Sequence, residues 1–474
     1  MVFEGSVPNG WKLVKLSDLG EVNRGKSKHR PRDAAFLYGG SYPFIQTGDV
    51  KASDGRITSY NQTYSEAGLK QSRLWPSETM CITIAANIAE TGILTFPACF
   101  PDSIIGFIAD KKQCDVFFIE YLFRLLKRRI QAQANGSVQD NINLQTLERI
   151  IFPVPEIRIQ KNISNFLKKL DDKIILNKEI NQTLEQMSQT LFKSWFVDFD
   201  PVIDNALDAG NSIPEALQSR AELRQKVRNS ADFKPLPANI RTLFPAEFEE
   251  TELGWVPKGW DIVKTEDIAL KICMGPFGSN IKVSTFVDSG VPVISGQHLK
   301  EILIIDGGNN FITLEHAEKL KNSAVYRKDI IFTHAGNIGQ VSIIPDDSEY
   351  DDYIISQRQF YLRVNESKSS PYYLIHYFRS EQGQHALLSN ASQVGVPSIA
   401  RPSTHLRNIT FLNPSKPLLE EFDKLCDPLF KRFNQNRKCS ISLTDLRDTL
   451  LPKLISGELS LEDLPNLANQ TEPA

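Results

Sequence analysis

The sequence predicts an α+β fold in which one mixed α/β domain occurs twice, with a long helix after each copy. Three features support this prediction: segments that recur in the same order in both halves, short alternating apolar stretches typical of strands, and two long helical patterns of apolar residues. We expect the two helices to form an antiparallel coiled coil that separates the domains and relates them by pseudo-two-fold symmetry.

The internal repeat rests on matched segments. "VPNGWKLVK" at Val7 returns as "VPKGWDIVK" at Val256, and "FIEYLFR" at Phe118 returns as "YLIHYFR" at Tyr373. Between them, "YPFIQTGDVK" corresponds to "VPVISGQHLK". The offset between the copies drifts in small steps along the chain, which is the pattern of a shared framework with loops of different length.

The repeat divides the chain into domains, helices, a connector and a tail. The predicted order is a first domain at residues 1–155, a central helical segment at 156–200, a connector at 201–250, a second domain at 251–415, a C-terminal helical segment at 416–460 and a tail at 461–474. Stretches such as "PFIQT" and "CITIAA" in the first copy, and "PVIS" and "QFYLRV" in the second, indicate strands in both domains. One clear helix in each copy completes a mixed α+β domain.

The two long helical patterns match each other without a gap. Each carries apolar residues at spacings of three, four and six positions, with one asparagine in the longer gap: Asn177 in the first and Asn436 in the second. A single polar residue in an apolar seam commonly fixes the register of a coiled coil. We therefore expect the two asparagines to face each other.

An antiparallel register that places Asn177 opposite Asn436 brings apolar residues together on both sides. The predicted interface pairs Leu170 with Leu443, Ile174 with Cys439, Ile180 with Phe433 and Leu184 with Leu429, and further out Leu167 with Leu446 and Met187 with Cys426. At about 1.5 Å per residue, helices of about 40 residues give a rod about 55 Å long. The alternative is that each helix packs only on its own domain or on another chain.

One short motif suggests a different function. Residues 20–27, "GEVNRGKS", fit the G-x-x-x-x-G-K-[ST] pattern of a phosphate-binding loop, which needs a buried strand before it and a helix after it. Pro31 and the Gly39–Gly40 pair follow closely instead, and the corresponding "ALKICMGPFGSN" of the second copy has no Lys-Ser. A P-loop nucleotide-binding protein is therefore the less favoured alternative.

Composition excludes several classes of protein. The formal net charge of −3 argues against a uniformly basic nucleic-acid-binding chain but permits local positive patches. Six cysteines without a C-x-x-C pair, and seven histidines without metal-ligand spacing, predict neither a metal nor a cofactor. No apolar run approaches the length of a membrane span, so we expect a cytoplasmic protein.

Four stretches are distinctive. They are "LFKSWFVDFDP" (Leu191–Pro201), "FPAEFEETELGWVPKGW" (Phe244–Trp260), "LRDTLLPKLISGEL" (Leu446–Leu459) and the P-x-G-W opening of each copy. Together with the order domain, helix, domain, helix, they resemble the specificity (S) subunit of type I restriction-modification systems of bacteria and archaea. The resemblance covers nearly the whole chain.

The resemblance implies a non-catalytic subunit that binds a bipartite, asymmetric site in double-stranded DNA through two target-recognition domains. It also implies partners: two methyltransferase subunits and ATP-dependent helicase-nuclease restriction subunits. The chain has no [DN]-P-P-[FYW] string of an amino-methyltransferase, since "NPS" at Asn413 and "DPL" at Asp427 do not qualify. The recognition subunit of a related methylase-nuclease fusion system and a purely structural coiled-coil adaptor remain alternatives.

Candidate phosphate contacts lie in a basic segment of the first copy. Arg24, Lys26, Lys28 and Arg30 are close together in a stretch punctuated by glycine and proline, as expected of a loop that contacts the DNA backbone. The alternative is a solvated run of surface charges.

Candidate base contacts lie where the two copies share an apolar frame but differ in polar residues. Polar side chains at strand ends commonly read base edges. The candidates are Gln46, Thr47 and Asp49 in the first copy and Ser295, Gln297 and His298 in the second. For each of them, an ordinary polar residue at a strand end is the alternative.

Overall fold

The computed structural model describes residues 10–85, 88–135, 147–278, 280–392 and 395–462. The chain separates into two compact units, which we call unit 1 (Met1–Leu176 with Cys439–Ala474) and unit 2 (Asn177–Lys438). The two long helices are Ile157–Phe192 and Lys416–Ser456, so each unit contains a segment of both. Helices and sheets alternate in both units, and the expectation of a mixed α/β chain is confirmed.

Unit 1 is built around a five-stranded sheet. Its strands, in spatial order, are Gly20–Arg24, Ile104–Ala109, Met80–Thr83, Thr91–Leu94 and Gly55–Ile57. Two further strand pairs are Lys12–Lys15 with Ile151–Val154, and Tyr38–Phe44 with Gln62–Tyr64. Besides the long-helix segments, the helices are Thr47–Ala52, Glu66–Lys70 and Val116–Asn135, with 3-10 turns at Leu16–Asp18 and Ala35–Leu37.

Unit 2 contains two four-stranded sheets. The first has the order Ala269–Met274, Gln359–Val364, Ile330–Thr333, Val341–Ile343, and the second has the order Asn310–Ile312, Val291–Ile294, Tyr353–Ile355, Ala324–Val325. Two-stranded pairs are Asp261–Lys264 with Thr410–Asn413, Phe248–Thr251 with Gly254–Pro257, and Ala391–Ser392 with Ser398–Ile399.

Some helices of unit 2 belong to the connector, and the others lie between the strands along the chain. After a π-helical turn at Lys193–Val197, the connector forms the helices Asp200–Ala209, Gln218–Arg228 and Ala238–Arg241. The remaining helices are Leu314–Lys319, Pro371–Arg379, Glu381–Leu388 and Pro402–Asn408. Short 3-10 turns lie at Glu215–Leu217, Thr265–Ile268, Val283–Thr285, Gly296–His298 and Lys321–Ser323.

The sequence repeat reappears as a shared order of strands. The strand after each P-x-G-W opening pairs antiparallel with the strand just before a long helix, Lys12–Lys15 with Ile151–Val154 and Asp261–Lys264 with Thr410–Asn413. The next four matched strands follow one another in the same spatial order in both main sheets. Matched segments of sequence therefore occupy matched positions within their own units.

The phosphate-binding-loop alternative lacks its structural context. The strand Gly20–Arg24 is followed by a loop, and the first described helical element after it is the 3-10 turn Ala35–Leu37. Gly25 lies so close to the neighbouring chain that a Cβ there would meet the carbonyl oxygen of Pro101 at 2.3 Å. The glycine thus serves a close backbone approach, and no helix N-terminus is present to hold a phosphate.

Each unit packs segments of both long helices into its core. In unit 1, Leu167 of the first helix and Leu454 of the second belong to the same buried cluster as Phe118 and Phe152. In unit 2, the His376 ring stacks on Phe192 and on Phe430, and burial lowers the pKa of His376 to about 4. The imidazole is consequently neutral at pH 7 and packs as an aromatic ring. Within the part of the chain that the structure describes, no helix has the length and apolar character to cross a membrane.

Candidate nucleic-acid interface

The two segments expected to read bases form similar capped turns, each shortly after a strand. In unit 1 the backbone N–H of Gln46 donates to Asp49 Oδ2 at 2.8 Å, at the start of the helix Thr47–Ala52. In unit 2 the backbone N–H of Ser295 donates to His298 Nδ1 at 2.9 Å, around the 3-10 turn Gly296–His298. In both turns the backbone N–H of the capping residue donates to the side chain of the residue three positions later, as in a capping box.

Asp49 and His298 are therefore held within their turns. The other oxygen of Asp49, Oδ1, accepts a hydrogen bond from Asn61 Nδ2 at 2.7 Å. His298 is 2% exposed, and burial lowers the pKa of its ring, so it remains neutral and accepts through Nδ1. Of the candidate base contacts, His298 does not reach the surface, because its ring is needed inside the turn.

The remaining candidates of unit 1 point toward a concave surface. A cavity of about 400 Å³ is lined by Gln46 and Thr47 together with Gln62, Ser27 and Arg32, among others. Gln46 Nε2 donates to Gln62 Oε1 at 2.6 Å, and both glutamines are exposed. The fold thus places the candidate reader turn beside the basic loop, although the two are separate in sequence.

In unit 2 the candidate side chains lie at the rim of the equivalent turn. Gln297 is exposed, and its Nε2 donates to the backbone oxygen of Gly308 at 3.2 Å. Ser295 is half-buried, with its Oγ 3.4 Å from His298 Nδ1. A shared turn therefore presents different polar groups in the two units.

The basic loop of unit 1 divides into fixed arginines and exposed lysines. Arg24 Nε donates to the backbone oxygen of Asp102 at 3.0 Å, and Arg30 donates to the backbone oxygen of Ser27 at 2.7 Å. Lys26 and Lys28 are exposed, and neither side chain forms an ion pair with any residue that the structure describes. The lysines, more than the arginines, are available to a phosphate.

The candidate helix-pair residues divide between the units. In unit 2 the two helix segments run antiparallel: Asn177 Nδ2 donates to the backbone oxygen of Asn436 at 3.3 Å, and the rings of Phe192 and Phe422 lie 6.3 Å apart. In unit 1 an ion pair of 2.7 Å joins Asp171 of the first helix to Arg447 of the second. Ile174, Asn177, Phe433 and Asn436 are buried, Leu170, Ile180, Leu184, Leu429 and Leu443 are half-buried, and Cys439 is exposed.

The buried stripe of unit 2 is more polar than the apolar stripe of the sequence. Met187 is 52% exposed, whereas Ser188 is fully buried. Asn181 Nδ2 donates to the backbone oxygen of Phe433 at 3.0 Å, and Asn436 Nδ2 donates to Asn181 Oδ1 at 3.0 Å. The pairing of Met187 with Cys426 was wrong, because the helix turns Ser188 toward the interior and leaves Met187 exposed.

This chain is similar to known specificity subunits of type I restriction enzymes. Residues 8–186 match the family described as the Type I restriction modification DNA specificity domain. The type I restriction enzyme MjaIX specificity subunit of Methanocaldococcus jannaschii is 24% identical over 97% of this chain and 96% of its own length. The type I restriction enzyme HindI specificity subunit of Haemophilus influenzae is 26% identical over 74% of this chain and 80% of its own length.

A solved structure has a similar fold. The crystal structure of the type I restriction-modification system S subunit from M. genitalium superposes with a TM-score of 0.53, over 96% of this chain and 99% of that chain. The two sequences are 14% identical, so the likeness concerns the fold.

Proposed function

We propose that this chain, a type I restriction-modification specificity subunit by its domain match and its relatives, recognises a bipartite, asymmetric site in double-stranded DNA. In this proposal residues 1–155 and 251–415 are the two target-recognition domains. The chain itself is non-catalytic and directs two methyltransferase subunits, and ATP-dependent restriction subunits, to the site that it binds.

One observation carries the proposal: the same capped turn occurs in both units with different polar side chains. Gln46 and Thr47 in unit 1 stand where unit 2 has Ser295 and Gly296. A shared framework keeps the geometry of approach to a groove, while the exchanged side chains change which base edges are read. Two readers of this kind in one chain suit a site with two different halves.

The long helices support a spacer role. We propose that they pair as an antiparallel coiled coil, since antiparallel contacts join their segments in unit 2 and the Asp171–Arg447 ion pair joins their segments in unit 1. Asn177, Asn181 and Asn436 form a small polar cluster in unit 2. A buried polar cluster of this kind fixes one register, and a fixed register would set the spacing between the two half-sites.

The direct test is selection of the complete chain, assembled with its methyltransferase subunits, on duplexes that carry a long randomised segment. We expect two short motifs to be enriched, with different sequences and a constant spacing. A single contiguous motif, or no enrichment over the starting pool, would contradict the bipartite-reader proposal.

A second prediction concerns the exposed lysines of the basic loop. Replacing Lys26 and Lys28 together with alanine is expected to weaken DNA binding by about 10-fold, equally for all sequences, and to reduce the salt slope by about 1–2 units, because each phosphate contact contributes about 0.9. Filter binding between low and moderate salt measures both quantities.

The matched control is Lys112→Ala. Lys112 is also an exposed lysine of unit 1, but it follows Ala109, at the other end of the strand pair from Arg24. Binding and salt slope should be unchanged in this variant. If the double variant behaves like Lys112→Ala, the loop does not contact the backbone.

A further inference from the structure

We infer that Gln62 in unit 1 and Asn310 in unit 2 are matched sequence-reading side chains, and that Gln62 together with Gln46 reads an adenine edge. The inference rests on the proposed function and names two specificity residues that the sequence repeat did not indicate. It starts from strand register, which places these amides at one and the same position of the two units.

The strand that leads into each capped turn pairs with the strand that carries the amide. In unit 1 Gln62 lies opposite Phe44, and in unit 2 Asn310 lies opposite Val293. Phe44 and Val293 are themselves matched, since each follows the proline of the repeated "YPF" and "VPV" segments. Each amide therefore stands across from the strand residue two positions before the capping residue of its turn, and both amides are exposed.

The residue just before each of these amides belongs to the shared framework of the two units. It is asparagine in both units, Asn61 and Asn309. Asn61 donates to Asp49 Oδ1, and Asn309 Oδ1 accepts from the backbone N–H of Gly307 at 3.0 Å, so both side chains bind within the framework of their own unit. The framework position is identical in the two units and the next position differs, as expected of two readers with different targets.

The chemistry of the glutamine pair matches adenine. Gln46 Nε2 donates to Gln62 Oε1, so the pair still has a free N–H donor and a free acceptor oxygen, and it keeps one of each whichever way the two amides are oriented. The Gln62 amide nitrogen donates to none of the described residues. Adenine presents an acceptor at N7 and a donor at N6 in the major groove, which is the pattern that glutamine and asparagine amides recognise.

The surroundings favour DNA as the occupant of this position. The pair lies at the rim of the cavity that Ser27 and Arg32 also line, beside the loop that carries Lys26 and Lys28. Phosphate contacts from the loop would position the duplex, and the amides would then meet a base edge. Asparagine is one methylene shorter than glutamine, so Asn310 requires a closer approach and reads a different step in the other half-site.

The test repeats the randomised-site selection with the complete assembly and single variants. Gln62→Ala is expected to lose adenine preference at one position of one motif by about 10-fold, with the other motif unchanged, because a bidentate amide contact discriminates by about that factor or more. Asn310→Ala should relax one position of the other motif only. Gln113→Ala, an exposed amide that lies beyond Ala109, is the matched control and should retain both motifs.

A second variant makes the result independent of folding losses. Gln62→Glu keeps the shape but replaces the donor with an acceptor, so the preference at that position should shift from adenine toward cytosine, whose N4 is a donor. If Gln62→Ala and Gln62→Glu both retain the parental motifs, the inference is wrong although the proposed function stands. If the parental chain enriches no bipartite site, the proposed function itself fails.

Discussion

Replacing Asp171 with alanine is expected to lower the free energy of unfolding of unit 1 by about 3–5 kcal/mol, the typical cost of leaving buried charges unpaired. Asp171 is 5% exposed and accepts hydrogen bonds from Tyr121 Oη at 2.6 Å and from Arg447 at 2.7 Å. Arg124 lies 3.5 Å from the same carboxylate and Arg56 lies 4.0 Å from it. The alanine variant would leave Arg56 and Arg124 with Glu120 as their buried counterion, and Arg447 with the exposed Asp448.

Hydrogen exchange of backbone amides measures this effect unit by unit. Protection of the helix Val116–Asn135 should fall in Asp171→Ala, while strands of unit 2 keep theirs. Asp172→Ala is the matched control, since Asp172 is exposed and lies next along the same helix. Equal protection in the two variants would show that the buried cluster contributes little to the stability of unit 1.

The cluster around Asp171 has a counterpart in unit 2. Arg124 and Arg379 end the matched segments "FIEYLFR" and "YLIHYFR", and each contacts a carboxylate of the first long helix. Arg124 meets Asp171 at 3.5 Å in unit 1, and Arg379 meets Glu185 at 2.9 Å in unit 2. In both units an arginine of the domain helix is thus bound to the helix proposed as spacer. The orientation of each target-recognition domain would then depend on that helix.

The repeat was the most reliable guide that the sequence offered. The matched segments "VPNGWKLVK" and "VPKGWDIVK" lead into strands with equivalent partners, because a framework needs the same apolar positions wherever it is used. The apolar stripes also located both long helices. An apolar stripe cannot reveal a buried polar residue. Asp171 and Ser188 are buried, and Asn181 is half-buried, at positions that the pattern skips.

The site was less predictable than the fold. Gln46 and Thr47 could be proposed because they follow a recognisable strand and lie in a matched segment. Gln62 could not be proposed from the sequence, since its strand has only three residues and its pairing with Phe44 is visible only in the folded sheet. Asp49 and His298 differ in chemistry, and this difference suggested that they contact bases. In the folded turns, however, both accept the equivalent capping hydrogen bond.

Replacing Phe422 with alanine is expected to lower the free energy of unfolding of unit 2 by about 3–5 kcal/mol, as large-to-small changes of buried aromatic rings do. Phe422 is fully buried on the second long helix, and its ring lies 5.0 Å from that of Phe196 and 6.1 Å from that of Trp195. It also lies 5.6 Å from the His376 ring, so one side chain joins the second long helix, the end of the first and the helix Pro371–Arg379.

Two measurements on unit 2 check this expectation against Leu425→Ala, a change on the same helix at a position that is 39% exposed. Backbone amides of the helix Pro371–Arg379 should exchange much faster in Phe422→Ala than in the parental chain. In the control, the free energy of the opening that permits exchange should fall by less than about 1 kcal/mol. The cavity should also admit water to His376, so the pKa of that ring should rise from about 4 toward its ordinary value in an NMR titration. An unchanged His376 pKa with equal exchange in both variants would mean that Phe422 does not hold the two helices against the domain.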